Sequence, residues 1–139
     1  MAKQFTLGKD ERLKSRKVID KIFAEGKVLL VSPYRILYLA NEKSSVDMEK
    51  AGNNLQFGVG VSAKNFKKAV DRNKIKRLTR EAWRLQKNEF QEAVKRKNLH
   101  ANIFFVYVSK ELTDFSTIKT KVGVALTKLL ALVEKIHIS

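Results

Sequence analysis

The chain has 139 residues, 44% hydrophobic and 31% charged, with a formal net charge of +15 and no cysteine. That balance describes one folded basic domain over 1–139, because a disordered basic tail lacks the apolar fraction to bury about two thirds of its unfolded surface. Disulfides and thiolate metal sites are excluded, no apolar run reaches the ~18 residues of a membrane span, and Met1–Phe5 lacks the apolar core of a signal peptide, so a cytoplasmic protein with an anionic, non-membrane partner is expected.

Residues 1–9 carry no periodic pattern and are expected to form a flexible N-terminus. Ser15 can cap a helix that ends before Gly26, with Val18, Ile19, Ile22 and Phe23 on one side. Lys27–Val31 reads as a short strand closed by a turn at Ser32-Pro33. Tyr34–Ala40 is strand-like, with Tyr34, Ile36 and Tyr38 on one face and Leu37 and Leu39 on the other. The polar stretch 41–54 reads as a flexible hairpin loop. Leu55–Ser62 alternates, with Leu55, Phe57, Val59 and Val61 opposed to Gln56, Gly58, Gly60 and Ser62. Two glycines flatten one face of that strand, which suits either a packed helix or the close approach of another backbone or a ligand.

The most informative stretch follows. Placed on a helix from Asp71 to Gln86, Ile75, Leu78, Ala82 and Leu85 gather on one face, while Asn73, Arg77, Arg80 and Arg84 gather opposite, flanked by Arg72 and Lys76. A charged face is usually only solvated, but solvated faces mix signs through i,i+4 pairing. Between Lys64 and Lys87 stand ten Lys or Arg against Asp71 and Glu81, a net +8. Self-repulsion on this scale calls for an anion, and guanidinium forks match phosphate geometry. Trp83 lies between the two stripes, where burial is favoured over stacking on RNA.

Ile103–Val108 is apolar throughout, as for a strand covered on both faces. Ser116–Ile136 reads as a helix with Ile118, Val122, Leu126, Leu129, Leu130, Val133 and Ile136 inward. The order gives an α+β fold, a small mixed β-sheet packed with helices, in which the basic helix crosses between two strands. Parallel strands would make this a βαβ crossover, right-handed by the general rule.

No catalytic constellation appears. His100 reads as a loop residue and His137 as terminal, the acids form no paired arrangement for two-metal chemistry, and no nucleophile triad or phosphate loop is present. Which residues, if any, touch a metal is not legible, and nothing points to an obligate protein partner.

The run Phe66-x-x-Ala69-x-x-Arg72-Asn73-Lys74-Ile75-Lys76-Arg77-x-Thr79-Arg80 resembles the signature of the bacterial ribonuclease P protein component. Phe57–Lys64 resembles the strand that precedes it, and Arg12-Leu13 with Val18–Gly26 resembles the family's first helix. The similarity spans roughly 10–135. Lys74 keeps the cation of a position that is usually Arg, Ala63 replaces a frequent Lys, and Ile19 stands where relatives often have Phe. The resemblance implies a ribosomal-protein-S5-domain-2-like fold with a left-handed crossover. It also implies an accessory role in an endoribonuclease whose RNA subunit carries the magnesium-dependent chemistry, removing the 5′ leader of precursor tRNA. By the same resemblance Lys68, Arg72, Asn73, Lys74, Lys76, Arg77, Arg80 and Arg84 would face the catalytic RNA. Arg12, Phe23, Ile36, Tyr38 and Lys64 would meet the leader, with core packing of Phe23 and Tyr38 as the alternative. A ribosomal protein or general RNA-binding module would share the charge and the α+β pattern. A membrane-surface helix is less favoured, because the apolar face of the basic helix is narrow.

Overall fold

Ser15 opens the first helix by accepting the Val18 N–H at 3.4 Å, which satisfies a donor that a helix N-terminus leaves unpaired. The helix stops at Gly26, where a Cβ would lie 2.4 Å from the Ile22 carbonyl oxygen. The computed structural model describes residues 12, 13, 15–42 and 55–135. The expected N-terminal segment 1–9, residues 43–54 of the expected hairpin loop, and Ile136 and His137 lie outside the described residues.

In chain order the elements are α1 (Arg16–Glu25), β1 (Lys27–Val31), β2 (Tyr34–Glu42), β3 (Leu55–Val61), α2 (Ala69–Gln86), α3 (Asn88–Arg96), β4 (Leu99–Tyr107) and α4 (Phe115–Glu134). The four strands form one mixed sheet in the order β1-β2-β4-β3. β1 pairs with β2 and β2 with β4 antiparallel, while β3 pairs with β4 in parallel. The α2–α3 segment is therefore a βαβ crossover connection. β2 and β4 are the two inner strands, and the position of β4 is in keeping with its nearly continuous apolar run.

Three elements differ from the sequence expectation. β2 continues through Asn41 and Glu42, where the polar composition predicts a loop. β4 begins at Leu99 rather than Ile103, so His100 sits in a strand and not in a loop. The helix α3 was not expected. It follows α2 after Lys87 with no glycine or proline between them, and its stripe is only Phe90, Ala93 and Val94, all buried. α3 gives way at Asn98, whose φ of 54° is a left-handed conformation that Asn tolerates better than most residues.

The sheet has helices on both sides. On one face α2, α3 and α4 enclose the main core, which includes Tyr34, Ile36, Phe57, Trp83, Ile103 and Phe105. Trp83 is buried and its indole stacks on Phe57 with ring centroids 4.3 Å apart. Burying side chains of this size contributes about 1.5–3 kcal/mol each relative to exposure. On the other face α1 covers a smaller cluster of Leu13, Ile22 and Leu37.

α2 sets its inward face with Ile75, Thr79, Ala82 and Trp83. Leu78 and Leu85, expected at the centre of that stripe, are half-buried at its edge. The helix is rotated because Thr79 finds a partner inside the core: its Oγ1 lies 2.6 Å from the Tyr34 hydroxyl.

Candidate nucleic-acid interface

The rotation of α2 decides what its basic face can reach. Asn73, Lys74 and Arg77 are exposed, while Lys76 and Arg80 are half-buried and turn toward the α1 side of β3. There the Leu13 N–H donates to the Phe57 carbonyl at 2.8 Å, and Arg12 forms a parallel bridge with Phe57. The segment before α1 thus runs along the outer edge of β3 and places Arg12 across from Arg80.

Between them lies an open groove of about 430 Å³, with Gly58 and Gly60 in its floor and Ile19 and Phe104 in its walls. Gly58 is opposite Phe104 in the β3–β4 register. A Cβ at Gly58 would sit 2.8 Å from the Phe104 ring, and one at Gly60 would sit 3.2 Å from it. The glycines accommodate this ring, which forms one wall of the groove. What approaches the glycine face is thus the Phe104 ring and, 3.2 Å from a Gly58 Cβ, the Leu13 carbonyl oxygen, and not a packed helix.

The electrostatics of the groove favour an anion. Its residues include Arg12, Lys76 and Arg80 and no acid. Partial burial, and then the like charge of Arg12, weaken the hold of the Arg80 guanidinium on its proton. Like charges facing each other across a partly dehydrated space are relieved when a phosphate binds between them.

Other expected contacts are less free. The Arg72 Nη1 donates to the Phe66 and Lys67 carbonyls at 2.7 and 2.8 Å. Arg84 is ion-paired with Glu81 one turn away, its Nε donating to Oε2 at 3.1 Å. That bond holds the Glu81 carboxyl below its ordinary range. Lys64 and Lys68 are exposed on the loop that leads into α2.

The leader set is split by the sheet. Phe23 is 53% exposed on the α1 side, edge-on to Phe104 with centroids 5.6 Å apart. Ile36, expected beside it, is 0% exposed in the main core and cannot meet a ligand. Tyr38 also faces the α4 side, where it lines a small cavity with Ala101, Ile103 and Leu129. The cause is the two-residue period of a strand: a choice of face that is wrong for one residue is wrong for every second residue.

The α1 side of β2 instead carries Arg35, Leu37 and Leu39. The strand registers align Leu30, Arg35, Val106 and Gly60 as one row across the four strands. Leu30 and Arg35 are exposed in that row. Sequence reasoning missed Phe104 and Arg35. The signal for Phe104 was a large ring in one strand set against glycines in a neighbouring one.

A family model described as Ribonuclease P matches residues 7–130. The chain is 36% identical over 125 residues to the ribonuclease P protein component of Porphyromonas gingivalis, covering 90% of this chain and 87% of the relative. Among solved structures, the ribonuclease P protein of Thermotoga maritima superposes with a TM-score of 0.59 at 28% identity, over 91% of this chain and 98% of that one. The Staphylococcus aureus protein shares the fold with a TM-score of 0.60 at 22% identity, over 86% and 97%.

Proposed function

The chain belongs to the ribonuclease P protein family as a subunit of that ribonucleoprotein, partnered with ribonuclease P RNA, and from this premise we propose how its two surfaces divide the work. The outer face of α2, with Asn73, Lys74 and Arg77, contacts phosphates of the catalytic RNA. The groove between Arg12 and Arg80, continued by Phe23, Phe104, Arg35 and Val106, holds the single-stranded 5′ leader of precursor tRNA. The observation that carries this reading is the acid-free Arg12–Lys76–Arg80 groove opening onto aromatic rings. A single strand needs a cationic track for its backbone and flat surfaces for its bases.

Phosphate contacts of this kind position a strand without reading its sequence. In this reading the phosphodiester chemistry and its magnesium ions belong to the RNA. Among the described residues of the protein no three His, Cys, Asp or Glu side chains gather where they could hold a metal ion. Its share is to bind the RNA, place the leader and hold the substrate against the catalytic subunit.

The test is reconstitution. Added to a bacterial ribonuclease P RNA at low magnesium, the protein should accelerate removal of the 5′ leader, while protein freed of RNA should not cleave. An unchanged rate at every magnesium concentration, or robust cleavage by the RNA-free protein, would overturn the reading.

A further inference from the structure

The loop from Ser62 to Lys68 joins β3 to α2, and it is pinned along its length. The Ser62 carbonyl accepts the Asn65 and Phe66 N–H groups at 3.2 and 3.1 Å. The Ser62 Oγ accepts the Lys64 N–H at 3.2 Å. The Asn65 Nδ2 donates to the Val108 carbonyl at 3.3 Å, tying the loop to the end of β4. The Phe66 ring is buried against Tyr107. The next two carbonyls, of Phe66 and Lys67, are both taken by one nitrogen of Arg72 from the first turn of α2.

The side chains this scaffold presents are Lys64, Lys67 and Lys68, all exposed. None of the three side chains has a salt bridge or a hydrogen bond among the described residues. Lys68 stands at the N-cap of α2 and gives the helix no side-chain cap. The two Nη1 protons of Arg72, meanwhile, are committed to the protein's own backbone.

We propose that Arg72 is a positioning residue: it holds the 62–68 loop so that Lys64, Lys67 and Lys68 form a preset contact for RNA phosphates, and it is not itself the phosphate ligand. The inference rests on the reading that the basic face of α2 binds ribonuclease P RNA. It assigns different physical work to two neighbouring cations of one motif. Arg77, which is exposed, supplies charge to the partner, whereas Arg72 removes the ordering cost that three mobile lysines would otherwise carry into binding.

The two roles leave different marks on salt dependence. Losing a phosphate ligand lowers the log–log salt slope by about one. Losing a positioning residue weakens binding but leaves the number of contacts, and hence the slope, unchanged. Binding of ribonuclease P RNA is therefore measured against salt for Arg72→Ala, for the triple variant Lys64→Ala/Lys67→Ala/Lys68→Ala, for the two combined, and for Arg77→Ala.

Arg72→Ala should weaken binding roughly tenfold at unchanged slope, with faster amide exchange at Phe66, Lys67 and Lys68. In the triple variant, whose slope should fall by two to three, adding Arg72→Ala should change nothing. Arg72→Gln, which keeps amide donors but no charge, should recover part of the affinity, and it carries the test if the alanine variant does not fold. A slope lowered by about one for Arg72→Ala, persisting in the triple background, would overturn the inference in favour of a direct phosphate contact. Unchanged affinity in the triple variant would also overturn it. If Arg77→Ala is equally silent, the reading of the α2 face falls with it; if Arg77→Ala lowers affinity and slope, only the inference falls.

Discussion

The bond between Tyr34 and Thr79 makes the orientation of α2 testable. Thr79 is 0% exposed and Tyr34 1%. The single hydroxyl proton of Thr79 goes to the Ile75 carbonyl at 2.8 Å, so in the 2.6 Å contact Tyr34 must be the donor. Thr79→Val keeps the shape and leaves the Tyr34 hydroxyl buried without an acceptor, at a cost of about 1–3 kcal/mol. Tyr34→Phe removes the donor while Thr79 keeps its bond to Ile75, at a cost of about 0.5–1.5 kcal/mol. With both hydroxyls gone nothing is orphaned, so the double variant should fall short of the summed losses by about 1–2 kcal/mol. Urea denaturation of the RNA-free protein, read as midpoint shifts at constant m-value, measures all three. Strict additivity would show that this bond does not fix the helix.

Two further outcomes are expected. In the holoenzyme Phe23→Ala should reduce the preference for precursor over mature tRNA by about one base stack, 1–3 kcal/mol. Tyr38→Ala, on the opposite face of the sheet, should leave that preference intact, and the reverse pattern in competition binding would put the leader on that other face. The second outcome concerns alkaline pH. Burial raises the Tyr34 phenol above its ordinary range, so the folded state keeps a proton that the unfolded chain loses above about pH 10. Stability should therefore fall as pH rises from about 10 toward the folded-state value. Tyr34→Phe should decline less steeply in denaturation curves taken across that window, and identical pH slopes would refute this.

Much of this arrangement was legible in local chemistry. Ser15 and Gly26 bound α1, the Ser32-Pro33 turn separates β1 from β2, and the charge density around Arg77 marks α2 as the helix with a basic face. What escaped depended on long-range partners. Tyr34, Ile36 and Tyr38 can each line a packed face, as Leu37 and Leu39 can, so alternation separates the two sets without saying which one α1 covers. Thr79 is absent from the stripe that periodicity gives because its partner stands 45 residues away. Asn102 and His100 hid the start of β4, where β2 supplies the pairing and β3 joins from Ala101. Arg72 and Arg84 read as free forks because a helical wheel shows neither the carbonyls of the preceding loop nor the Glu81 contact.

The central claim is that the basic face of α2 and the groove beside it contact RNA and are not merely solvated. Equilibrium binding across a salt series tests it most directly, with ribonuclease P RNA as the ligand for the wild type and Arg77→Ala, and with precursor tRNA as the ligand of the holoenzyme for the wild type and Arg80→Ala. Each substitution, made in protein shown to be folded, should weaken binding and lower the log–log salt slope by about one. Affinity and slope unchanged in both variants would contradict the claim.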